Sequence, residues 1–198
     1  SQDDGYWVKV ADATTLSITD AEPVNYDADG EVEYAIAYGN NLISYPFAGH
    51  APIDETIPED AQGAFIGIMG EGLSAMNTED GWLGGLLELS GTEGYWFITN
   101  AEVTFSYNQP VENATRKASP IRPVPMEFDF KQSTQQAFYF INSATIDGDP
   151  LEKEDLIIVY NNNVIVGSRY WYGEITDVPA MGYDPNNYEK YTAGYCEA

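Results

Sequence analysis

The chain has 198 residues and carries 32 acidic against 8 basic side chains, a net charge of −24. That balance excludes a nucleic-acid binder, which needs a basic stripe to displace counterions, and disfavours adsorption on an anionic membrane. Fifteen Tyr, 8 Phe and 4 Trp within a 43% hydrophobic composition can fill a core, but no apolar run approaches the roughly 20 residues of a membrane-spanning helix, so no membrane insertion is expected.

In chain order, the first signal is Gly5-Tyr6-Trp7-Val8, followed by Val10, Leu16 and Ile18, a strand–turn–strand pattern. Asp27-Ala28-Asp29-Gly30-Glu31 then places acids at alternate positions on a turn. Glu31–Tyr38 alternates, with Val32, Tyr34, Ile36 and Tyr38 on one face, as in a half-buried strand. Pro52–Asp60 can hold one or two helical turns, with Asp54 and Glu55 near the start and Pro58 limiting the length. Eight glycines between Gly63 and Gly91 argue against a long helix there. Val103, Phe105 and Tyr107 predict a further strand, and Met126, Phe128 and Phe130 another. Gln136–Ile141 is aromatic-rich and favours a strand. Leu156–Tyr160 and Val164–Ser168 flank Asn161-Asn162-Asn163, which predicts a hairpin with a three-residue loop. The predicted class is all-β, two small sandwich-like modules with little helix.

Pro110, Pro120, Pro123 and Pro125 cluster with Arg116, Lys117 and Arg122, the mark of an extended connector. The predicted layout is a first module over residues 1–110, a linker over 111–125 and a second module over 126–198. Gly5-Tyr6-Trp7-Val8 recurs as Gly94-Tyr95-Trp96-Phe97, and Leu16-Ser17-Ile18 parallels Phe105-Ser106-Tyr107 with a one-residue slip. Residues 1–20 therefore read as the tail of a preceding copy or as an exchanged strand pair. The second module, which ends at Tyr195-Cys196-Glu197-Ala198, reads as truncated. A segment bearing Tyr6, Trp7, Val8, Val10, Leu16 and Ile18 must pack somewhere, since burying one such side chain is worth about 1.5–3 kcal/mol. Those six residues are the candidates for self-assembly.

Two motif series resemble known modules. Asn41-Leu42-Ile43-Ser44-Tyr45-Pro46, Met69-Gly70-Glu71-Gly72, Gly81-Trp82-Leu83-Gly84, Leu86 and Gly94-Tyr95-Trp96 resemble a repeat module of large secreted and cell-surface multidomain bacterial proteins. Ser133–Phe140, Asp155, Val166-Gly167-Ser168-Arg169, Trp171 and residues 177–184 resemble a second module that often accompanies it. Together they cover about two thirds of the chain. The resemblance implies β-rich building blocks, a secreted or cell-surface location and partners that include the flanking modules of a parent protein. It carries over no catalytic residues. It also implies cysteines around the hairpin before Gly167-Ser168-Arg169, and Val164 and Val166 stand there instead, which leaves a disulfide in that module in doubt.

The search for chemistry is mostly negative. His50 is the one histidine, at Gly49-His50-Ala51-Pro52, and neither the nucleophile elbow nor the phosphate loop is present. Cys196 is the single cysteine, so neither an internal disulfide nor a Cys/His zinc set can form. An enzyme is not expected. Calcium is the candidate ion, at Asp27, Asp29 and Glu31 and at Asp147 and Asp149, but Tyr38 stands where a calcium loop needs its last acid, and plain Asp-Gly turns explain both places. Tyr170-Trp171-Tyr172 cannot all face a core, because neighbouring residues in a strand point to opposite sides. These three rings are therefore candidates for stacking on glycans. Asn113-Ala114-Thr115 matches a glycosylation sequon. The leading expectation is a non-catalytic structural or adhesive module that assembles with further copies of itself, head to tail, into a fibre. The alternatives are a carbohydrate-binding module and a fragment of a secreted hydrolase.

Overall fold

A computed structural model of the chain describes Val8, Val10, residues 12–17, Thr19 and residues 32–91, 93–110, 121–185 and 189–197. Its elements run β1 (Tyr34–Ile36), β2 (Gly39–Ser44), β3 (His50–Pro52), α1 (Ile53–Thr56), α2 (Glu59–Gln62), β4 (Phe65–Met69), β5 (Ser74–Thr78), β6 (Gly81–Gly84), β7 (Glu88–Ser90), β8 (Gly94–Thr99) and β9 (Val103–Phe105). A 3₁₀ turn (Met126–Phe128) follows, then β10 (Gln136–Ile141), β11 (Thr145–Ile146), β12 (Asp149–Pro150), β13 (Leu156–Asn161), β14 (Val164–Tyr170), β15 (Thr176–Met181) and α3 (Glu189–Thr192). The protein is mostly β, 43% strand against 9% helix, and no helix among the described residues reaches 7 residues, which bears out the predicted class. The sheets are small and antiparallel.

By contacts the chain forms two units, residues 1–66 with 88–116 and residues 67–87 with 117–198. The segment 67–87, assigned by the sequence reading to the first module, thus groups with the second unit.

In the first unit β1 pairs with β9, β2 with β8 and β3 with β7. Alternation fixes what each strand buries. Tyr95, Phe97 and Thr99 of β8 point inward and are 1%, 0% and 2% exposed. Around them pack Tyr34, Tyr45, Phe65, Phe105 and Tyr107, with ring centroids 5.0–5.6 Å apart in mostly edge-to-face pairs, the arrangement aromatic quadrupoles favour. Pro52 and Pro58 open the two short helices, and each ends within a turn, as their proline spacing dictates.

In the second unit β4 pairs with β5, β5 with β6, β10 with β15, β11 with β12 and β13 with β14. Val166, Met181 and Tyr195 form its small core, with Phe130, Val159, Val164 and Tyr183 packed against them. Strand β14 passes close to β15 at Gly167, where a Cβ would sit 1.7 Å from the Pro179 carbonyl oxygen, so only glycine fits. Tyr183 N–H donates to the Cys196 carbonyl at 2.7 Å, and the Tyr195 hydroxyl accepts from Lys131 N–H at 2.8 Å, so the last described residues are held to this core.

Three local expectations are corrected. Met126, Phe128 and Phe130 do not form a strand. Pro125 precedes a 3₁₀ turn closed by Phe128 N–H donating to the Pro125 carbonyl, and Met126 is 91% exposed. The Asn161–Asn163 loop has two residues, not three, because Asn161 pairs with Val164. Asn162, at φ 54°, takes the left-handed turn conformation that asparagine tolerates. Tyr38 does not share the buried face of Tyr34 and Ile36. The strand stops at Ile36, where the Asn41 side chain accepts from Ala37 N–H and donates to its carbonyl, and Tyr38 turns outward.

Candidate functional site

Two features stand out: a closed polar network and a set of apolar side chains left on the surface. The network lies in the second unit, around Asp177 on β15. Asp177 is fully buried, one residue beyond the turn that joins β14 to β15. Its Oδ2 accepts from Ser74 N–H at 2.9 Å and from the Ser74 hydroxyl at 3.1 Å, and its Oδ1 accepts from the Tyr172 hydroxyl at 2.7 Å. The Arg169 guanidinium lies 3.6 Å from Oδ2; its Nε donates to the Asp177 carbonyl at 2.8 Å and its Nη2 to the Gly72 carbonyl at 2.5 Å. Gly85 leaves room for the carboxylate, since a Cβ there would come 2.7 Å from Oδ1. The turn itself is strained: Ile175, a β-branched residue, sits at φ 61°.

Burial pushes the Asp177 carboxyl above its ordinary value, with Arg169, Tyr172 and Ser74 acting in the opposite direction. Burial also raises the Tyr172 hydroxyl, which stays protonated as the donor to Asp177. The hydrogen bonds of the network all end within the same unit, and they tie the 72–74 loop to β14 and β15. The raised Asp177 pKa has a signed consequence. Stability that depends on its neutral form is present below the unfolded value of about 3.9 and is lost as pH rises through the folded-state value. In urea melts at stepped pH, wild type is therefore expected to lose stability relative to Asp177→Asn across that interval. A difference that stays flat or runs the other way would contradict the assignment.

The candidate residues from the sequence fall as follows. Trp171 is buried and its backbone N–H donates to the Asp155 carbonyl. Tyr172 belongs to the Asp177 network. Tyr170 is half-buried, with the Arg122 guanidinium 3.6 Å above its ring; Arg122 is itself held by Glu154 and the Lys153 carbonyl. Asp147 and Gly148 form the two-residue turn between Ile146 and Asp149, both at positive φ, as in a type I′ hairpin. No group of three metal-ligating side chains occurs among the described residues. His50 stands exposed on β3 beside a cleft of about 560 Å³ that Tyr45, Phe47 and Ser90 also line. Asp27, Asp29, Glu31, Tyr6, Trp7, Ile18 and the sequon at Asn113 lie outside the described residues.

The surface apolar set includes Val8, Val10 and Leu16, which are 67%, 53% and 76% exposed. Tyr139 on β10 and Tyr160 on β13 are exposed too. The N-terminal set belongs to the segment that the sequence repeat of β8 nominated for self-assembly. Sequence reasoning missed the pairing of Arg169 with Asp177, whose one signal was an arginine inside an otherwise uncharged hairpin. Comparison of the chain with protein-family models, with curated proteins and with solved structures finds no match.

Proposed function

We propose that the chain is a non-catalytic structural or adhesive module of a secreted or cell-surface bacterial protein, whose copies join head to tail by strand addition from the N-terminal segment. One contrast carries the reading. In Gly94-Tyr95-Trp96-Phe97, the alternate residues Tyr95 and Phe97 are fully buried in a sheet. In its sequence twin Gly5-Tyr6-Trp7-Val8, the residue equivalent to Phe97 is Val8, and it stands open to water together with Val10 and Leu16. A strand-like segment with that much uncovered apolar surface gains by adding to a sheet, where backbone hydrogen bonds supply affinity and alternate side chains fill pockets. Donor and acceptor surfaces differ, so the contact is head-to-tail and propagates unless a rotation closes a ring. The acidic surface supports the same reading, since like charge keeps unassembled copies soluble.

The test is the particle mass of the intact chain by light scattering over a wide range of concentration. Growth of the mean mass with concentration is expected, with more growth in salt as the like charges are screened. A constant monomer mass would end the proposal.

A further inference from the structure

We infer that the acceptor for the N-terminal strand is the free edge of β10 in a second copy of this chain. This inference rests on the assembly reading above and specifies its receiving site.

Strand β10 pairs with β15 over six residues in unbroken register, from Gln136↔Met181 to Ile141↔Thr176. Among the described residues it has no other ladder partner, so its second edge is not taken up by a strand. Edges of this kind are normally protected by charge, proline, a bulge or a cover. Gln-Ala-Phe-Tyr-Phe-Ile has no charge and no proline, and its register has no bulge. Several other strands carry edge protection. Strand β15 carries Pro179, which has no N–H to donate, and is approached by β14 at Gly167. Strand β13 has a register shift between Val159 and Tyr160. In β2, Asn41 is turned back onto Ala37.

The side chains of β10 are also undercovered. None of its six residues is fully buried, although Phe138, Phe140 and Ile141 are large and apolar, and Tyr139 is 59% exposed. The fully buried Tyr95 and Phe97 of β8 show what a covered aromatic strand looks like in this chain.

The donor fits this edge in length and charge. Gly5–Val10 equals β10 in number of residues, and in an added strand the exposed Val8 and Val10 would share one face. Its single charge is Lys9, the only basic residue before Arg116, presented to a body of net charge −24. A second copy is favoured over an unrelated partner because this chain supplies both the uncharged edge and the matching strand.

Two measurements on the full-length chain test the inference. Tyr139→Lys places a charge on the edge at an exposed position, and Tyr160→Lys does the same on β13. The first is expected to abolish the concentration-dependent growth in mass with the folded circular-dichroism spectrum kept, and the second to leave growth as in wild type. In a Cys196→Ser background, a Val8→Cys chain mixed with an isotopically labelled Tyr139→Cys chain should give a mixed-mass cross-linked dimer with a short bis-maleimide. If Tyr139→Lys assembles like wild type, β10 is not the acceptor and the assembly reading survives. If the mixed chains give no cross-linked dimer while a single chain carrying both Val8→Cys and Tyr139→Cys cross-links within itself, the segment covers its own β10 and the intermolecular inference is wrong. If wild type never grows in mass, the inference and the reading on which it rests both fail.

Discussion

Replacing Asp177 by alanine is expected to cost the second unit about 3–5 kcal/mol, the range for removing one partner of a buried ion pair. The carboxylate accepts from Ser74 N–H, the Ser74 hydroxyl and the Tyr172 hydroxyl, and lies beside Arg169. Alanine leaves these donors facing a cavity, and each buried group without a partner costs about 1–3 kcal/mol. Arg169 keeps the carbonyls of Gly72 and residue 177, which limits the loss. Asparagine should cost less than alanine, because its carbonyl retains one acceptor, yet its NH₂ must face a donor in either orientation. Urea unfolding followed by tryptophan fluorescence measures the order. Alanine equal to wild type within about 0.5 kcal/mol, the span of a neutral surface substitution, would show that the network does not hold the unit together.

Deleting residues 1–20 is expected to remove assembly entirely and leave a folded monomer. The cores named above use none of the described residues before Tyr34, so the deletion takes no fully buried side chain among the described residues. What the deletion removes is exposed apolar surface at Val8, Val10 and Leu16. Sedimentation velocity of the truncated chain should give one concentration-independent species with the circular-dichroism spectrum of a β protein. Unchanged assembly after the deletion would place the contact elsewhere on the molecule.

The sequence carried the fold class because period-two alternation is a local signal. Tyr34 and Ile36, Phe105 and Tyr107, and the Leu156–Ser168 hairpin could all be read from spacing alone. Met126–Phe130 shows where that signal fails. The apolar spacing is present, but Pro125 starts a 3₁₀ turn and exposes Met126. The Asn161–Asn163 loop was misread by one residue because local sequence does not say whether the first asparagine pairs with Val164. The polar network was out of reach for a different reason. Asp177 is one of 32 acids, and its partner Ser74, like Gly72, the partner of Arg169, lies about a hundred positions away, a distance across which no periodic pattern speaks. Tyr170, Trp171 and Tyr172 were legible as a triplet that cannot share one face. That they are taken up by Arg122, by the interior and by Asp177 depends on where the chain places those groups. The repeat singled out the N-terminal apolar residues as a segment that must pack somewhere, whereas Val8, Val10 and Leu16 stand exposed in the isolated chain.

The central claim is that residues 1–20 act as a strand that another copy receives, and its most direct test is to supply that strand in trans. A synthetic peptide of residues 1–20, which contains Trp7, should bind the chain lacking residues 1–20 saturably at one peptide per chain, read by titration calorimetry and by a change in peptide fluorescence. A peptide with Val8 and Val10 changed to Asp should not bind. The account is contradicted if the wild-type peptide gives no heat and no fluorescence change under conditions where the intact chain assembles, or if both peptides bind alike.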